Sequence, residues 1–256
     1  MTYLHILILS FVEGLTEFLP VSSTGHLIIV NHFLGLEPNE FSKAFDVIIQ
    51  FGAIAAVLVI YKDKFKLNFN FYKKLLIGFL PAAFIGFLTK KYVSDMMESA
   101  LIVAWALIIG GIIMIITDFI FTKKKNTQEF VTNKNSFLIG LSQCIALIPG
   151  VSRSASTIIT GQVLGLNKQT AAEFSFFLAV PTLTAATFYK AWKIKDLIHS
   201  SDLVNLGLGI FLSFIFALLA IKFFIRIVQK YGFKWFGIYR IFLGLFVLLY
   251  FKNQGI

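Results

Sequence analysis

The chain reads as an all-α polytopic membrane protein with six transmembrane helices plus two re-entrant helical hairpins, arranged as an inverted-topology repeat. Three observations carry that expectation. Hydrophobic residues make up 57% of the 256 and charged residues only 14%, more apolar sequence than a water-soluble core needs and what several membrane spans require. Mean hydropathy is correspondingly high, at +0.82. Lastly, two long apolar segments are broken at their centres by polar residues, and each is followed by three uninterrupted spans.

Taken in order, residues 3–34 are long enough to cross a bilayer, yet Glu13, Glu17, Pro20, Ser22, Ser23, Thr24, Gly25 and His26 crowd their centre. A lipid-facing helix would not tolerate that set. Two half-helices, about 3–19 and 22–34, folded as a re-entrant hairpin accommodate it, because irregular backbone at membrane depth is stable where protein surrounds it or it lines a cavity. Full spans are predicted at about 44–61, 75–89 and 99–121. Lys62 to Lys74, Lys90-Lys91 and Lys123-Lys124-Lys125 close them in turn, the last opening the hydrophilic stretch 123–135. A second interrupted segment follows at about 136–166, and then spans at about 170–190, 203–221 and 235–251.

The whole is one membrane domain, 1–256, with repeat one at about 1–125 and repeat two at about 134–256. Pro20-Val21-Ser22-Ser23 resembles Pro149-Gly150-Val151-Ser152-Arg153-Ser154 with one residue inserted, and Asp46 and Glu173 follow at similar distances. Three crossings per half would set the halves in opposite orientations.

The net charge is +10. Loops at 62–74, 122–135, 163–169 and 222–234, if they share one side, hold 14 of the 23 Lys and Arg. The positive-inside rule places that side in the cytoplasm, so both termini and the mouth of the first hairpin are expected to face outward. Nucleic acid is not expected as a partner, since no basic helix or aromatic platform stands outside the spans. Cys144 is the single cysteine, which leaves no intrachain disulfide and no cysteine-based zinc site. The N-terminal run MTYLHILILS has neither a basic start nor a small-residue cleavage site, so it does not read as a signal peptide.

Chemistry concentrates in the two interruptions. Glu13 and Glu17 stand at i, i+4, on one helix face. Two acids that close can share a divalent cation such as Mg²⁺ or Ca²⁺, or one can remain protonated. Ser22 and Ser23 precede His26 by four and three residues, so the imidazole can reach a serine oxygen on the same turn. That arrangement activates a nucleophile, or His26 itself attacks phosphorus or protonates a leaving group. In the second interruption Arg153 is surrounded by Gly150, Ser152, Ser154, Ser156 and Thr157. Its planar guanidinium suits phosphate, and a helix beginning near Ser152 would present free N–H groups to an anion. Together the two turns describe phosphoryl transfer, which depends on positioning and charge neutralisation. Gln50 and Glu173 are candidate partners of this set. Arg240, after Trp235 and Tyr239, is expected at an aromatic–basic membrane boundary. Gly110-Gly111, Gly207, Gly209 and Gly244 are read as helix-packing positions.

Glu13-Gly-Leu-Thr-Glu17, Pro20-Val-Ser-Ser-Thr-Gly-His26 and Pro149-Gly-Val-Ser-Arg-Ser-Ala-Ser-Thr157 resemble the undecaprenyl-diphosphate phosphatases, also called bacitracin-resistance proteins. That family carries an acidic (E/Q)-x3-E motif, a following histidine and P-G-x-S-R-S-x-x-T. The resemblance runs on through Ala44 to Gln50, Glu173 to Pro181 and Ile238-Tyr239-Arg240, so it covers nearly the whole chain. It implies a multi-pass enzyme of the bacterial cytoplasmic membrane that cuts the C55 lipid diphosphate to its monophosphate, recycling the carrier for wall polymers. It also implies a divalent-cation requirement, an outward-facing site and bacitracin resistance on overproduction. Glu13 and Glu17 take the acidic motif, His26 the histidine, and Ser152, Arg153, Ser154 and Thr157 the phosphate motif. Ser23 is the implied nucleophile, with His26 as the competing one. The partners implied are a polyprenyl diphosphate and membrane lipids, with a homodimer as a candidate assembly. Two rivals stand beside this reading. A polyprenyl-phosphate flippase would use the same inverted repeat. A type-2 phosphatidic-acid phosphatase is suggested by Ser152-Arg153 followed by His199 and Asp202.

Overall fold

The computed structural model describes residues 1–37, 39–66, 68–97, 99–124 and 127–252. Lys125, the expected end of repeat one, and residues 253–256 lie outside the described residues, as do the side chains of Lys123, Lys124 and Lys252.

Every described element is helical except one isolated parallel bridge, Gln128 to Leu166. A short pair comes first, α1 (Tyr3–Thr16) and α2 (Ser23–Phe33). The next crossing is two collinear pieces, α3 (Glu40–Ile48) and α4 (Gln50–Ile60), and α5 (Phe69–Met96) and α6 (Ala100–Lys124) follow. A second short pair, α7 (Asn133–Ser142) and α8 (Arg153–Val163), is separated by a 3-10 turn at Ile145–Leu147. The last three are α9 (Lys168–Lys193), α10 (Ser200–Tyr231) and α11 (Lys234–Lys252). Six of these segments, counting α3 with α4, are long and apolar enough to cross a membrane.

Local chemistry explains most boundaries. Thr2, Asn39, Asn68, Thr132 and Asn167 each cap a helix by accepting from a backbone N–H in its first turn, which satisfies one of the donors a helix start leaves unpaired. At the start of α10 the Asp202 carboxylate accepts from the His199 backbone N–H at 3.0 Å. They serve as a cap, which removes the pair that suggested a phosphatidic-acid phosphatase.

Several helices outrun their predicted spans. Lys73, Lys74, Lys90 and Lys91 lie inside α5, and Lys222, Arg226 and Lys230 lie inside α10. The stretch 222–234, expected as a loop, is therefore helical to Tyr231. Hydropathy detects only apolar length, whereas a helix continues for as long as its backbone bonds are made, and basic side chains extend to water from its ends.

Proline does not end α5 or α9, which contain Pro81 and Pro181. Around Pro81, α7 supplies polar contacts to the α5 backbone: Ser136 Oγ donates to the Lys74 carbonyl, and Gln143 Nε2 donates to that of Gly78 at 3.1 Å.

Lipid tails are as apolar as leucine, so helices in a bilayer associate through close backbone approach and hydrogen bonds. One such close seam joins α6 to α11. A Cβ on Gly111 would lie 2.6 Å from the Gly237 carbonyl oxygen, and one on Gly237 would lie 2.7 Å from that of Gly111. Gly207 has open space around it instead, so the expectation of close packing fails there. One apolar cluster gathers Ile6, Leu27, Phe45, Ile194 and Leu206; another gathers Phe18, Ile139, Ile158, Phe176, Phe224 and Phe233.

Candidate active site

The two breaks expected from sequence are two turns of the same form. Ser22 (φ 71°, ψ 90°) caps α2 and Ser152 (φ 73°, ψ 115°) caps α8. They are the only non-glycine residues at positive φ among the described residues. Each hydroxyl accepts from the backbone N–H three residues on, Gly25 at 3.3 Å and Ala155 at 3.2 Å. A side chain held in that region costs roughly 1–3 kcal/mol, and such strain persists only where the surroundings enforce it. Gly150, at φ 92°, lets the second turn reach α6, where a Cβ would lie 2.6 Å from the Val103 carbonyl oxygen.

Arg240 does the enforcing. It is wholly buried, with Nη1 donating to the Pro20 carbonyl at 3.2 Å and Nη2 to those of Gly150 at 2.9 Å and Ala106 at 3.1 Å. Its Nε donates to Leu107 at 3.4 Å. The expectation of a membrane-boundary arginine is corrected: one guanidinium ties both turns to α6. Its fork can satisfy several carbonyls at once, which a lysine cannot do. Ser154 adds a second tie, donating to the Leu19 carbonyl at 2.9 Å and sharing a 3.0 Å hydrogen bond with the Ser152 hydroxyl.

The turns thus meet, and the chemistry-bearing residues of each face the other. Glu17 and Arg153 form an ion pair, Oε1 to Nη2, at 3.0 Å, with both side chains nearly buried. Ser23 Oγ donates to the other Glu17 oxygen at 2.5 Å. Arg153 Nη1 donates to the Ser175 carbonyl at 2.9 Å, and Thr157 Oγ1 donates to the Ser175 hydroxyl at 2.7 Å. The ring of Phe18 lies 5.7 Å from the Arg153 guanidinium carbon. Two groups are left over. Both oxygens of Glu13 are buried without a hydrogen-bond partner, and so is Arg153 Nε. The centre thus holds a buried acceptor pair and a buried donor whose hydrogen-bonding capacity is unspent.

His26 is held differently from the expectation. Its Nδ1 meets the backbone carbonyl of Ser22 at 2.7 Å rather than a serine hydroxyl, and Nε2 meets the Tyr239 hydroxyl at 2.7 Å. No Ser23–His26 bond exists, because Ser23 is turned to Glu17. Glu173 also stands apart from Arg153. It accepts from Gln169 at 2.8 Å, which accepts in turn from Gln229 at 2.8 Å. Asp46 accepts from Asn31 at 2.7 Å and fastens α3 to α2.

Ser175 as a partner of Arg153, and the roles of Tyr239 and Arg240, escaped the sequence reading. Ser175 acts largely through its backbone carbonyl, which leaves no mark on sequence. The available signal for Arg240 was its charge within an apolar stretch, an expensive placement that marks function by default.

Residues 6–246 match the family model described as bacitracin resistance protein BacA. The chain belongs to the BacA family. The match spans every residue from Glu13 to Arg240 that builds the two turns. Curated relatives support it over nearly full length. An undecaprenyl-diphosphatase of Bdellovibrio bacteriovorus is 53% identical, covering 97% of this chain and 96% of its own. Proteins of the same name from Campylobacter fetus (48% identical; 98% and 99% covered) and Persephonella marina (47%; 95% and 97%) are similar.

Proposed function

We propose that this BacA-family protein is an undecaprenyl-diphosphate phosphatase, a membrane hydrolase that releases inorganic phosphate from the lipid diphosphate and regenerates the lipid monophosphate carrier for cell-wall synthesis. The observation that carries the reading is the buried Ser23–Glu17–Arg153 constellation drawn from both turns, together with relatives of that name. A protein that only moved the lipid across the membrane would need no carboxylate hydrogen-bonded to a serine.

In the mechanism we assign, the guanidinium of Arg153 binds the terminal phosphoryl group and neutralises its charge. Ser23 Oγ attacks the terminal phosphorus as its proton passes to Glu17, and the bond to the bridging oxygen breaks. Lipid monophosphate leaves with the proton returned by Glu17. Water then cleaves the phosphoserine, giving its proton to Glu17, which passes it back to Ser23. Gly150, Ser152, Ser154 and Thr157 shape the cradle and orient Arg153. His26 lies one helical turn along α2 from Ser23. Preorganised charges in a dry site supply the largest share of such catalysis.

Glu13 and Glu17 would hold a Mg²⁺ or Ca²⁺ ion. The donor set suits it, since both Glu13 oxygens are buried and unmatched. Among the described residues no cluster of three or more His, Cys, Asp or Glu offers a complete cage. Mg²⁺ is commonly held by one or two carboxylates, with substrate phosphate and water completing its shell. The ion supplies positive charge against the diphosphate oxygens.

We further read the two short pairs as re-entrant hairpins of an inverted repeat in a bacterial cytoplasmic membrane. Support comes from exchange in the packing: α1 of the first half lies on α10, and α7 of the second half lies on α5. Ile6 and Leu34, from the two far ends of the first pair, share one apolar cluster; Ile139 and Leu164 of the second pair share the other. The reciprocal Gly111–Gly237 contact fits a pseudo-two-fold axis through that seam. Loop charge then turns the first hairpin, and the site, outward. Both turns come from one chain, so a homodimer is not needed to complete the centre.

The reading is tested by phosphate release from undecaprenyl diphosphate by purified protein in detergent, with Mg²⁺, with Ca²⁺ and with chelator. Cation-dependent release is expected. Absence of release from folded protein, together with lipid scrambling in liposomes, would replace it with the transporter reading.

A further inference from the structure

Tyr239 is used in a way its position does not require. It is 45% exposed on α11, and an aromatic residue at such a site ordinarily buries its ring edge and leaves its hydroxyl to the surroundings. Here the hydroxyl turns inward to His26 Nε2 at 2.7 Å, and the two rings lie 11° from parallel with centroids 5.6 Å apart. The other ring nitrogen decides the direction of that bond. Nδ1 faces the Ser22 carbonyl at 2.7 Å, and a carbonyl only accepts, so Nδ1 carries a proton. The neutral ring then has a bare Nε2, and the tyrosine is its donor. Both anchors belong to the machinery of the turns. Ser22 is the strained cap of α2, and Tyr239 directly precedes Arg240, which ties the turns together.

We propose that Tyr239 is a positioning residue of the reaction centre: it fixes the plane of the His26 ring and holds Nε2 unprotonated one helical turn from Ser23. This rests on the phosphatase reading for its consequence in turnover, but the contact itself has an independent readout. The ring stack remains in Tyr239→Phe, and only the donor is lost.

The experiment combines ¹⁵N NMR of histidine-labelled protein in detergent with steady-state kinetics of wild type and Tyr239→Phe. The chain has four histidines, and His26→Gln assigns the resonance. The expected result is a His26 Nε2 signal typical of a hydrogen-bonded, unprotonated nitrogen in wild type. In Tyr239→Phe that signal moves downfield while Nδ1 stays in place. The same variant should lower kcat about tenfold with KM within about twofold and thermal stability unchanged. An Nε2 resonance that does not move, a kcat within about twofold of wild type, or a loss of activity that follows a loss of thermal stability would each overturn the proposal. Failure of wild-type protein to release phosphate would count against the phosphatase reading and leave the resonance test of the contact standing.

Discussion

Arg153 and Glu17 pair across the turns, and in the proposed mechanism Arg153 also meets substrate and Glu17 the nucleophile. Removing either should therefore affect the transition state more than substrate binding. Arg153→Ala and Glu17→Gln are expected to lower kcat by about 10³-fold, roughly 4 kcal/mol, the scale for losing a preorganised charge partner. Phosphate release by folded variants checks this, and near wild-type turnover in either would remove it from the centre. Glu13→Gln should weaken the proposed cation site, since both Glu13 oxygens are buried without a partner, so the cation concentration for half-maximal rate is expected to rise at least about tenfold. At this scale the sequence was informative where a polar side chain interrupts apolar residues, which is why Glu13, Glu17, His26 and Arg153 were legible. It was silent on how they pair. That His26 would take a backbone carbonyl and Tyr239, and Ser23 would take Glu17, depends on turns whose backbone no side-chain pattern describes.

Elements add the constraint that makes these pairs meet. The caps at Ser22 and Ser152 begin α2 and α8 from a strained conformation, so their hydroxyls do more than ordinary caps. Ser152→Ala should destabilise the protein by about 1 kcal/mol through the lost cap and also free Ser154, its hydroxyl partner. Gly150→Ala should cost more, because its φ and the nearby Val103 carbonyl both oppose a Cβ. Thermal unfolding in detergent is expected to rank wild type above Ser152→Ala and Ser152→Ala above Gly150→Ala. The turns were legible from Pro20 and Pro149-Gly150, since proline and glycine punctuate helices for known steric reasons. Helix ends were not, as α5 and α10 show: lysines that look like loop residues in a hydropathy profile continue the helix beyond the apolar stretch.

For the whole molecule the residue that matters is Arg240. It donates to carbonyls of Pro20, Ala106, Leu107 and Gly150, so α11 and α6 hold the two turns in register through one side chain. Replacing it by leucine would leave the turn carbonyls of Pro20 and Gly150 unmatched, at about 1–3 kcal/mol each, while those of Ala106 and Leu107 keep their bonds within α6. Arg240→Leu is thus expected to lower both stability and turnover, although Arg240 does not touch Ser23, Glu17 or Arg153. Lysine should rescue little, having no fork to reach both turns. Measuring thermal stability and kcat of both variants checks this, and full activity in Arg240→Lys would contradict it. Six helices long and apolar enough to cross a membrane, with two broken segments beside them, could be read from hydropathy and interruption alone. That the two breaks serve one centre was also legible, but the bonds that join them were not, because they pair residues as distant in sequence as Glu17 and Arg153, or Pro20 and Arg240.

The central claim is that the seam between the two turns performs phosphoryl transfer with Ser23 as the attacking group. Rapid acid quenching of purified protein with undecaprenyl diphosphate labelled in its terminal phosphate tests it most directly. Label is expected on the peptide carrying Ser23, absent in Ser23→Ala and formed no more slowly than phosphate is released. Label on His26, or unchanged turnover in Ser23→Ala, would contradict it.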